Sequence, residues 1–155
     1  MISKKARDVK YSPTTDAGLG LVYRLNGLWL RADSKCLAGD FDAWNFVLDR
    51  IYANLSYREE LQLTLDKVSG KVIDVKQIEQ QADIYRIFTR RIKKAKEAYF
   101  YYMKKRNAQG VAWAREHHYQ VLMGKDMWLR KFMSVLGIYL KEFEYNPATA
   151  MFGGG

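Results

Sequence analysis

The chain has 155 residues, 48% of them hydrophobic and 14% aromatic, and carries a formal net charge of +9. This composition is typical of an ordered globular protein and excludes a disordered chain, and the length suffices for one well-buried core but is short for two domains. Ten bases against three acids lie between residues 76 and 106, so most of the excess charge belongs to one segment. Such an uneven distribution predicts one positive face, which suits a nucleic acid, an acidic protein or solvent.

Cys36 is the only cysteine, which excludes an internal disulfide and a cysteine-based metal cluster. We expect it to be a small core residue. No apolar run approaches the roughly 18 residues needed to cross a bilayer, so we expect no membrane partner. The first residues lack the apolar stretch of a secretion signal, and we therefore expect synthesis inside the cell.

Residues 1–15 are polar and basic and show no sustained hydrophobic period, which predicts an extended arm. Asp16 is the predicted N-cap of a first helix that ends at Gly39, because leucines recur at helical spacing between them. Asn26-Gly27 is also the favoured two-residue turn of a β-hairpin, and the apolar residues before it alternate. We favour the helix, since its spacing continues for two turns beyond Asn26-Gly27, and keep the hairpin as the alternative.

A second helix is predicted after the N-cap Asp40. Its apolar residues recur at steps of three and four: Phe41, Trp44, Leu48, Ile51 and Leu55. A capping pattern of Ser56 with Glu59 predicts a short third helix that ends near Gly70.

A long helix is predicted from Asp74 to about Arg106. Its apolar residues form a heptad seam, the pattern of a helix that packs along another helix: Tyr85, Phe88, Ile92, Ala95, Tyr99 and Tyr102. Asn107 to Gly110 predicts a tight reversal of the chain. A last helix follows to Tyr145, with its predicted buried stripe at His118, Leu122, Lys125, Leu129, Phe132, Leu136, Leu140 and Phe143.

Asn146-Pro147 predicts the end of this helix, so residues 146–155 form a C-terminal interaction tail. Met151 and Phe152 lie between small residues of the tail, and we expect these two side chains to insert into a neighbouring molecule. The predicted fold is therefore mainly α. It is a single helical-bundle domain over residues 16–145, with a long antiparallel helix pair and extended arms at both ends.

Patterns for catalysis or metal binding are not found in the sequence. His117 and His118 are adjacent on the predicted helix and point about 100° apart, so they do not form a metal-binding pair. We expect His118 at a helix interface and His117 in solvent. Asp40, Asp42 and Asp49 do not form a hydrolytic pair, because the first caps a helix and the other two lie on its predicted solvent face. We therefore predict no catalytic residue, metal, cofactor or small-molecule substrate, and no enzymatic activity.

The bases of the long helix are the main candidates for partner contacts: Arg86, Arg90, Arg91, Lys93, Lys94, Lys104 and Lys105. Their charges would meet phosphates or an acidic partner, and Tyr101 would stack on a base if the partner is a nucleic acid. A solvated flank beside the buried seam is the simpler interpretation, since Tyr99 and Tyr102 already belong to the seam. No nucleic-acid-binding motif accompanies the charge.

The size, the helical core and the reaching arms resemble the small connector or adaptor proteins that form rings between the capsid portal and the tail of bacterial viruses. The resemblance is one of architecture, and no family motif is matched. It implies a non-enzymatic structural subunit of a multi-protein assembly, made in the host cytoplasm and then located in the virion. The implied partners are further copies of the chain, other proteins of the assembly and DNA. The alternative function is a soluble nucleic-acid-binding helical module.

Overall fold

The computed structural model describes residues 13–56, 75–136 and 138, and every regular element within these ranges is a helix. The helices are α1 (Pro13–Leu37), α2 (Phe41–Ser56), α3 (Val75–Lys104) and α4 (Ala108–Val135). The prediction of a mainly α protein is confirmed.

Several predictions concern residues outside the described ranges and stay predictions. They are the arm before Pro13, the helix after Ser56, the stripe positions Leu140 and Phe143, and the tail with Met151 and Phe152. Ser56 itself is the last residue of α2, where its Oγ donates a hydrogen bond to the carbonyl of Tyr52 over 2.9 Å. Its predicted pairing with Glu59 at the start of a third helix lies outside the described residues and stays a prediction.

α1 runs through Asn26 and Gly27 without interruption, so the helical interpretation is confirmed and the hairpin alternative is wrong. The sequence predicts Asp16 as the N-cap, whereas the helix begins at Pro13 and contains Asp16. Proline suits a first helical turn, because its fixed φ is helical and its missing N–H has no partner there in any case. Pro13 to Thr15 thus belong to α1 rather than to the predicted arm.

A tight turn at Gly39 and Asp40 joins α1 to α2. Gly39 has a φ of 70°, a left-handed conformation that glycine adopts at little cost. The Asp40 carboxylate accepts a hydrogen bond from the backbone N–H of Ala43 over 3.1 Å. The predicted stop at Gly39 and the predicted cap at Asp40 are both confirmed.

α2 buries its predicted stripe, except that Phe41 is half-buried. The four fully buried positions are Trp44, Leu48, Ile51 and Leu55. They share one hydrophobic cluster with leucines of α1 and α4, including Leu25 and Leu129. The core therefore lies between α1, α2 and α4, and α3 packs mainly against α4.

The chain reverses between α3 and α4 at Lys105 to Asn107, where Arg106 has a φ of 55°. The side chain of Asn107 accepts a hydrogen bond from the backbone N–H of Gly110 over 3.0 Å and so caps α4. The sequence predicts the reversal at Asn107 to Gly110, which is wrong because Ala108 to Gly110 form the first turn of α4. Asparagine is a favoured N-cap residue, and this explains why the helix begins so early.

The predicted seam of α3 faces α4. Ile92 is buried, and the aromatic members of the seam are half-buried. The Tyr102 ring lies 6.5 Å from that of Trp113, and the Phe88 ring lies 5.6 Å from that of Trp128. Residues late in α3 thus meet residues early in α4, and residues early in α3 meet residues late in α4.

Two glycines of α4 let α3 come close. A Cβ atom at Gly110 would overlap the ring of Tyr102, and one at Gly124 would lie 3.3 Å from Cε1 of Phe88. Gly124 is therefore a point of close contact between α3 and α4.

The described part of the predicted α4 stripe is entirely buried: His118, Leu122, Lys125, Leu129, Phe132 and Leu136. Two of these residues, His118 and Lys125, are polar. The helix ends at Val135, well before the predicted end at Tyr145. The Leu136 N–H donates to the carbonyl of Phe132 over 3.1 Å as the C-cap. Gly137 follows in the sequence, and glycine is the commonest residue type directly after a helix end.

Candidate interaction surfaces

All seven bases predicted for partner contacts are exposed, six on α3 and Lys105 in the turn that follows. At 100° per residue, Arg86, Arg90 and Lys94 lie on the side opposite the seam, and Arg91 lies nearer its edge. We call the surface formed by these seven bases the basic face: Arg86, Arg90, Arg91, Lys93, Lys94, Lys104 and Lys105. At a rise of about 1.5 Å per residue it is about 28 Å long.

Few opposite charges compensate the basic face. Arg86 pairs with the exposed Asp83, and the Lys105 ammonium lies 5.7 Å from the ring centroid of Tyr101. Glu97 is exposed on the same side of α3. Within residues 75–136 no ion pair involves Arg90 or Lys94. The face is thus mainly positive, as the sequence predicts, but it is interrupted by two acids.

Large apolar side chains are exposed around the end of the helix pair formed by α3 and α4: Phe100, Tyr101, Met103 and Trp113, each at least half exposed. We call this region the hairpin end. The Trp113 ring stacks on His117 at a centroid distance of 5.1 Å, so it is held in place while remaining accessible. Exposed apolar patches bordered by charge are typical of interaction sites. Of these four residues, the sequence pattern singles out only Tyr101.

An open groove of about 580 Å³ lies beside the turn of the hairpin end. Its apolar lining comes from Met103, Val111 and Ala112, and Arg106 and Arg115 stand at its sides. A groove of this kind accepts apolar side chains of a partner between two positive charges.

A second, smaller cavity of about 190 Å³ lies where the start of α2 meets α3 and α4. Asp40, Asp42, Lys96 and Arg115 supply its charged lining, two of each sign. Lys96 Nζ donates to Asp42 Oδ1 over 2.8 Å, and both side chains are exposed. No single sign of charge prevails in this cavity, which therefore favours neither anions nor cations.

Arg115 lines both the groove and the smaller cavity. Its guanidinium lies 5.1 Å from the ring centroid of Phe41 and 5.9 Å from that of Tyr99. The two rings hold an exposed cation in a fixed place, which suits contact with an acidic group.

His118 lies in the wall of the smaller cavity, and its ring meets Phe41 edge-on at 4.9 Å. Burial lowers the pKa of this imidazole, despite the nearby Asp42 carboxylate. Its Nε2 is buried without a hydrogen-bond partner in the described part of the chain. His117 is exposed, so the prediction of one interfacial and one solvent-exposed histidine is confirmed.

Lys125 is almost completely buried in the α4 stripe. Its Nζ donates to Asn45 Oδ1 over 2.7 Å and to Asp49 Oδ1 over 2.5 Å. Tyr85 OH donates to the same Asp49 oxygen over 2.8 Å. Burial lowers the pKa of Lys125, and burial together with the Asp49 carboxylate raises the pKa of Tyr85 to about 12.

This polar network corrects the prediction for Asp49, which the sequence places on the solvent face of α2. Asp49 instead joins α2 to α3 and α4 through Tyr85 and Lys125. The available signal was Lys125 itself, a lysine at a position where the stripe calls for an apolar residue. A buried ammonium needs a carboxylate partner, so its presence predicts an acid on a neighbouring helix.

Cys36 is half-buried and packs against the edge of the core cluster, so the prediction of a small core residue is confirmed only in part. It lies one residue before the end of α1, where the helix leaves the core. Burial, with the carboxylates of Asp126 and Asp33 nearby, raises the pKa of its thiol. A thiol held in the protonated form is a poor nucleophile.

In the part of the chain that the structure describes, no three His, Cys, Asp or Glu side chains are grouped so as to hold a metal ion. None of the described helices combines the length and the apolar character needed to cross a membrane. Comparisons of the chain with models of protein families, with curated proteins and with solved structures find no match.

Proposed function

We propose that this protein is a non-enzymatic structural subunit of a multi-protein assembly, and that α3 and α4 form a long antiparallel pair that presents the hairpin end to a neighbouring subunit. The observation that carries the proposal is the exposure of Phe100, Tyr101, Met103 and Trp113 at that end. Each Å² of apolar surface left in water costs about 25 cal/mol, which a protein contact would recover. The groove beside Met103 and Val111 offers a place for an apolar side chain of that neighbour.

The buried polar groups support a structural role. Lys125, Asp49 and Tyr85 are satisfied by one another within the helix packing, and none of them lines either of the two spaces described above. Such a network fixes how helices fit together and leaves little freedom for proton transfer to a substrate.

We propose further that the assembly is a connector ring between the portal and the tail of a bacterial virus, and that the ring is built from copies of this chain. Two helices of 30 and 28 residues make a stiff projecting element. The basic face suits the lining of a DNA channel or contact with an acidic neighbour. The tail with Met151 and Phe152 would provide a further link between subunits.

The test uses the purified full-length chain, with native mass spectrometry and electron microscopy of the particles it forms. We expect a discrete closed oligomer of the wild-type chain. The variant Tyr101→Ser with Trp113→Ser should lose that oligomer and keep its melting temperature, since both side chains are exposed. The matched control Phe46→Ser with Met127→Ser changes two equally exposed side chains elsewhere and should behave as the wild type. If the hairpin-end variant assembles as well as this control, the proposed contact is wrong.

A second candidate function, nucleic-acid binding, is favoured by one observation, the basic face on α3. Reversal of Arg90, Lys93 and Lys94 to Glu should abolish binding to a labelled DNA duplex in fluorescence anisotropy. Reversal of Arg31, Arg50 and Lys131, which are exposed on the other helices, produces the same net charge and should preserve most binding. Binding should also fall steeply with added salt, because phosphate contacts release counterions. Equal losses in the two variants would show that only net charge matters.

A further inference from the structure

α1 carries an exposed stripe with heptad spacing on the side opposite the core. Its large members, Tyr23, Leu30 and Leu37, are 66%, 63% and 89% exposed. Small residues alternate with them at steps of three and four. We call this set the outward stripe: Gly20, Tyr23, Gly27, Leu30, Ser34 and Leu37.

The outward stripe is distinct from the face of α1 that packs in the core. Leu21, Leu25 and Ala32 are buried and lie on the opposite side of the helix, at half a turn from Leu30. No stripe position carries a charge, although Arg24, Arg31 and other charged residues of α1 lie nearby. An exposed side of a surface helix is ordinarily polar, so this pattern differs from that of a solvated flank.

Packing among the described residues does not explain the glycine at position 27, whereas a Cβ at Gly20 would lie 3.7 Å from a guanidinium nitrogen of Arg24. A Cβ atom at Gly27 would have no atom within 4 Å among the residues that the structure describes, so no described contact requires glycine there. Glycine inside a helix is nevertheless less favourable than alanine. Gly110 provides the contrast, since a Cβ there would overlap Tyr102. A glycine on an open helix surface is useful when the side chain of another helix occupies the space above it.

We propose that the outward stripe binds the outward stripe of a second copy of this chain, with the two α1 helices antiparallel. In one register Leu30 of each copy lies over Gly27 of the other, Tyr23 lies over Ser34, and Leu37 lies over Gly20. Every large side chain then meets a small one. A parallel arrangement would instead put leucine against leucine and leave gaps between the glycines.

A second copy fits the stripe better than an unrelated partner does. When the stripe is read in the opposite direction, its small residues come where the large residues of the first copy lie. Such a contact is isologous and closes at two copies. Three large side chains per copy bury less than the roughly 800 Å² per partner of a standard stable interface. We therefore expect reversible, concentration-dependent pairing. The hairpin end is not involved, so this pairing is independent of the assembly contact proposed above.

The principal test is sedimentation equilibrium of the full-length chain over a wide range of concentrations. In the hairpin-end variant Tyr101→Ser with Trp113→Ser, which removes the proposed assembly contact, the chain should associate to dimers through the outward stripe. Gly27→Leu should weaken the dimer at least tenfold, because leucine would then face leucine, while its melting temperature at low concentration stays the same or rises. Leu30→Ser should also weaken the dimer, and Phe46→Ser, an exposed position off the stripe, should leave it unchanged.

Disulfide trapping tests the direction of the helices in a Cys36→Ser background. Chains with Tyr23→Cys mixed with chains with Ser34→Cys should form a mixed disulfide under mild oxidation. Ser34→Cys alone should not form a disulfide dimer, because in the antiparallel register the two Ser34 positions are about 16 Å apart along the helices. A Ser34→Cys dimer that forms as readily as the mixed one would overturn the antiparallel arrangement.

Two results would overturn the pairing itself: a wild-type chain that stays monomeric at every concentration, or a Gly27→Leu variant that associates as tightly as the wild type. The hairpin-end variant Tyr101→Ser with Trp113→Ser shows whether an observed association uses the outward stripe or the hairpin end. An association that this variant abolishes and the stripe variants leave intact would support the hairpin contact and exclude the stripe. Dimers that are lost only in the stripe variants would support the stripe pairing and exclude the hairpin contact.

Discussion

The seam of α3 and the outward stripe of α1 have the same spacing of three and four residues but opposite environments. Ile92 in the seam is 5% exposed, whereas Leu30 in the stripe is 63% exposed. The seam has a neighbour because α4 packs against α3 after a short turn, whereas the described helices pack against α1 on its other side. Periodicity thus identifies residues that share a face, while chain topology decides whether that face is covered.

The glycines of the two regions differ in the same way. Gly110 of α4 lies against Tyr102 of the seam, so its lack of a side chain is required by packing within the molecule. A Cβ atom at Gly27 of the outward stripe would meet no atom of the described residues within 4 Å. A glycine that the fold does not need is a reason to look for a contact outside the fold.

The largest effect is expected for Ile92→Asp in the covered seam. The aspartate would place a charge without a partner between α3 and α4, at a cost of several kcal/mol. The variant should unfold or aggregate, as measured by circular dichroism and the soluble fraction on expression. A soluble variant with the melting temperature of the wild type would remove the argument that the seam holds the two helices together.

Lys125→Met tests the polar network behind the seam. The variant keeps the volume of the side chain but removes the donor to Asp49 and Asn45. Since Asp49 retains some access to solvent, we expect a loss of about 3 kcal/mol in the free energy of unfolding, the low end for a broken buried pair. The control Lys96→Met breaks the exposed pair with Asp42 and should cost at most about 1 kcal/mol. Similar losses in the two variants in urea denaturation would contradict the assignment.

A matched pair of glycine substitutions compares the covered and the open region directly. Gly110→Ala should destabilise the protein by about 1 to 3 kcal/mol, because the added methyl group displaces the Tyr102 ring. Gly27→Ala should raise stability by up to about 1 kcal/mol through helix propensity. Melting temperatures measured at low protein concentration distinguish them. Melting temperatures that shift in the same direction in both variants would contradict either the packed contact at Gly110 or the open surface at Gly27.

The smallest effect is expected from the titration of His118. Burial lowers the pKa of its imidazole in the folded state, so the unfolded state binds the proton more readily. Stability should therefore fall as the pH drops below about 6.5, the ordinary value for histidine. His118→Gln should reduce the fall in melting temperature between pH 7.5 and 5.5, and the exposed His117→Gln should not. Equal pH profiles for both variants would exclude this role for His118.

Local sequence signals predicted the elements well. The N-cap Asp40, the seam around Ile92 and the α4 stripe through Lys125 follow from residue type and spacing, and the structure confirms them. The predicted end of α4 is too late, because apolar spacing continues in the sequence after Val135.

Features that depend on tertiary neighbours could not be predicted from the sequence. Asp49 is half-buried only because Lys125 and Tyr85 arrive from two other helices. The exposure of Trp113 depends on where the chain reverses between α3 and α4. The outward stripe does not follow from the sequence pattern either, because the buried leucines of α1 already account for its helical spacing.

The α3 seam stabilises the fold, whereas the outward stripe of α1 does not contribute to the stability of the single chain. One measurement tests this claim directly: the free energy of unfolding of Ile92→Ala and Leu30→Ala, by urea denaturation at a concentration where the chain is monomeric. Ile92→Ala should lose about 2 to 5 kcal/mol, the usual cost of emptying a packed site. Leu30→Ala should stay within about 0.5 kcal/mol of the wild type, as exposed substitutions do. Equal losses in the two variants, or a larger loss for Leu30→Ala, would contradict the account.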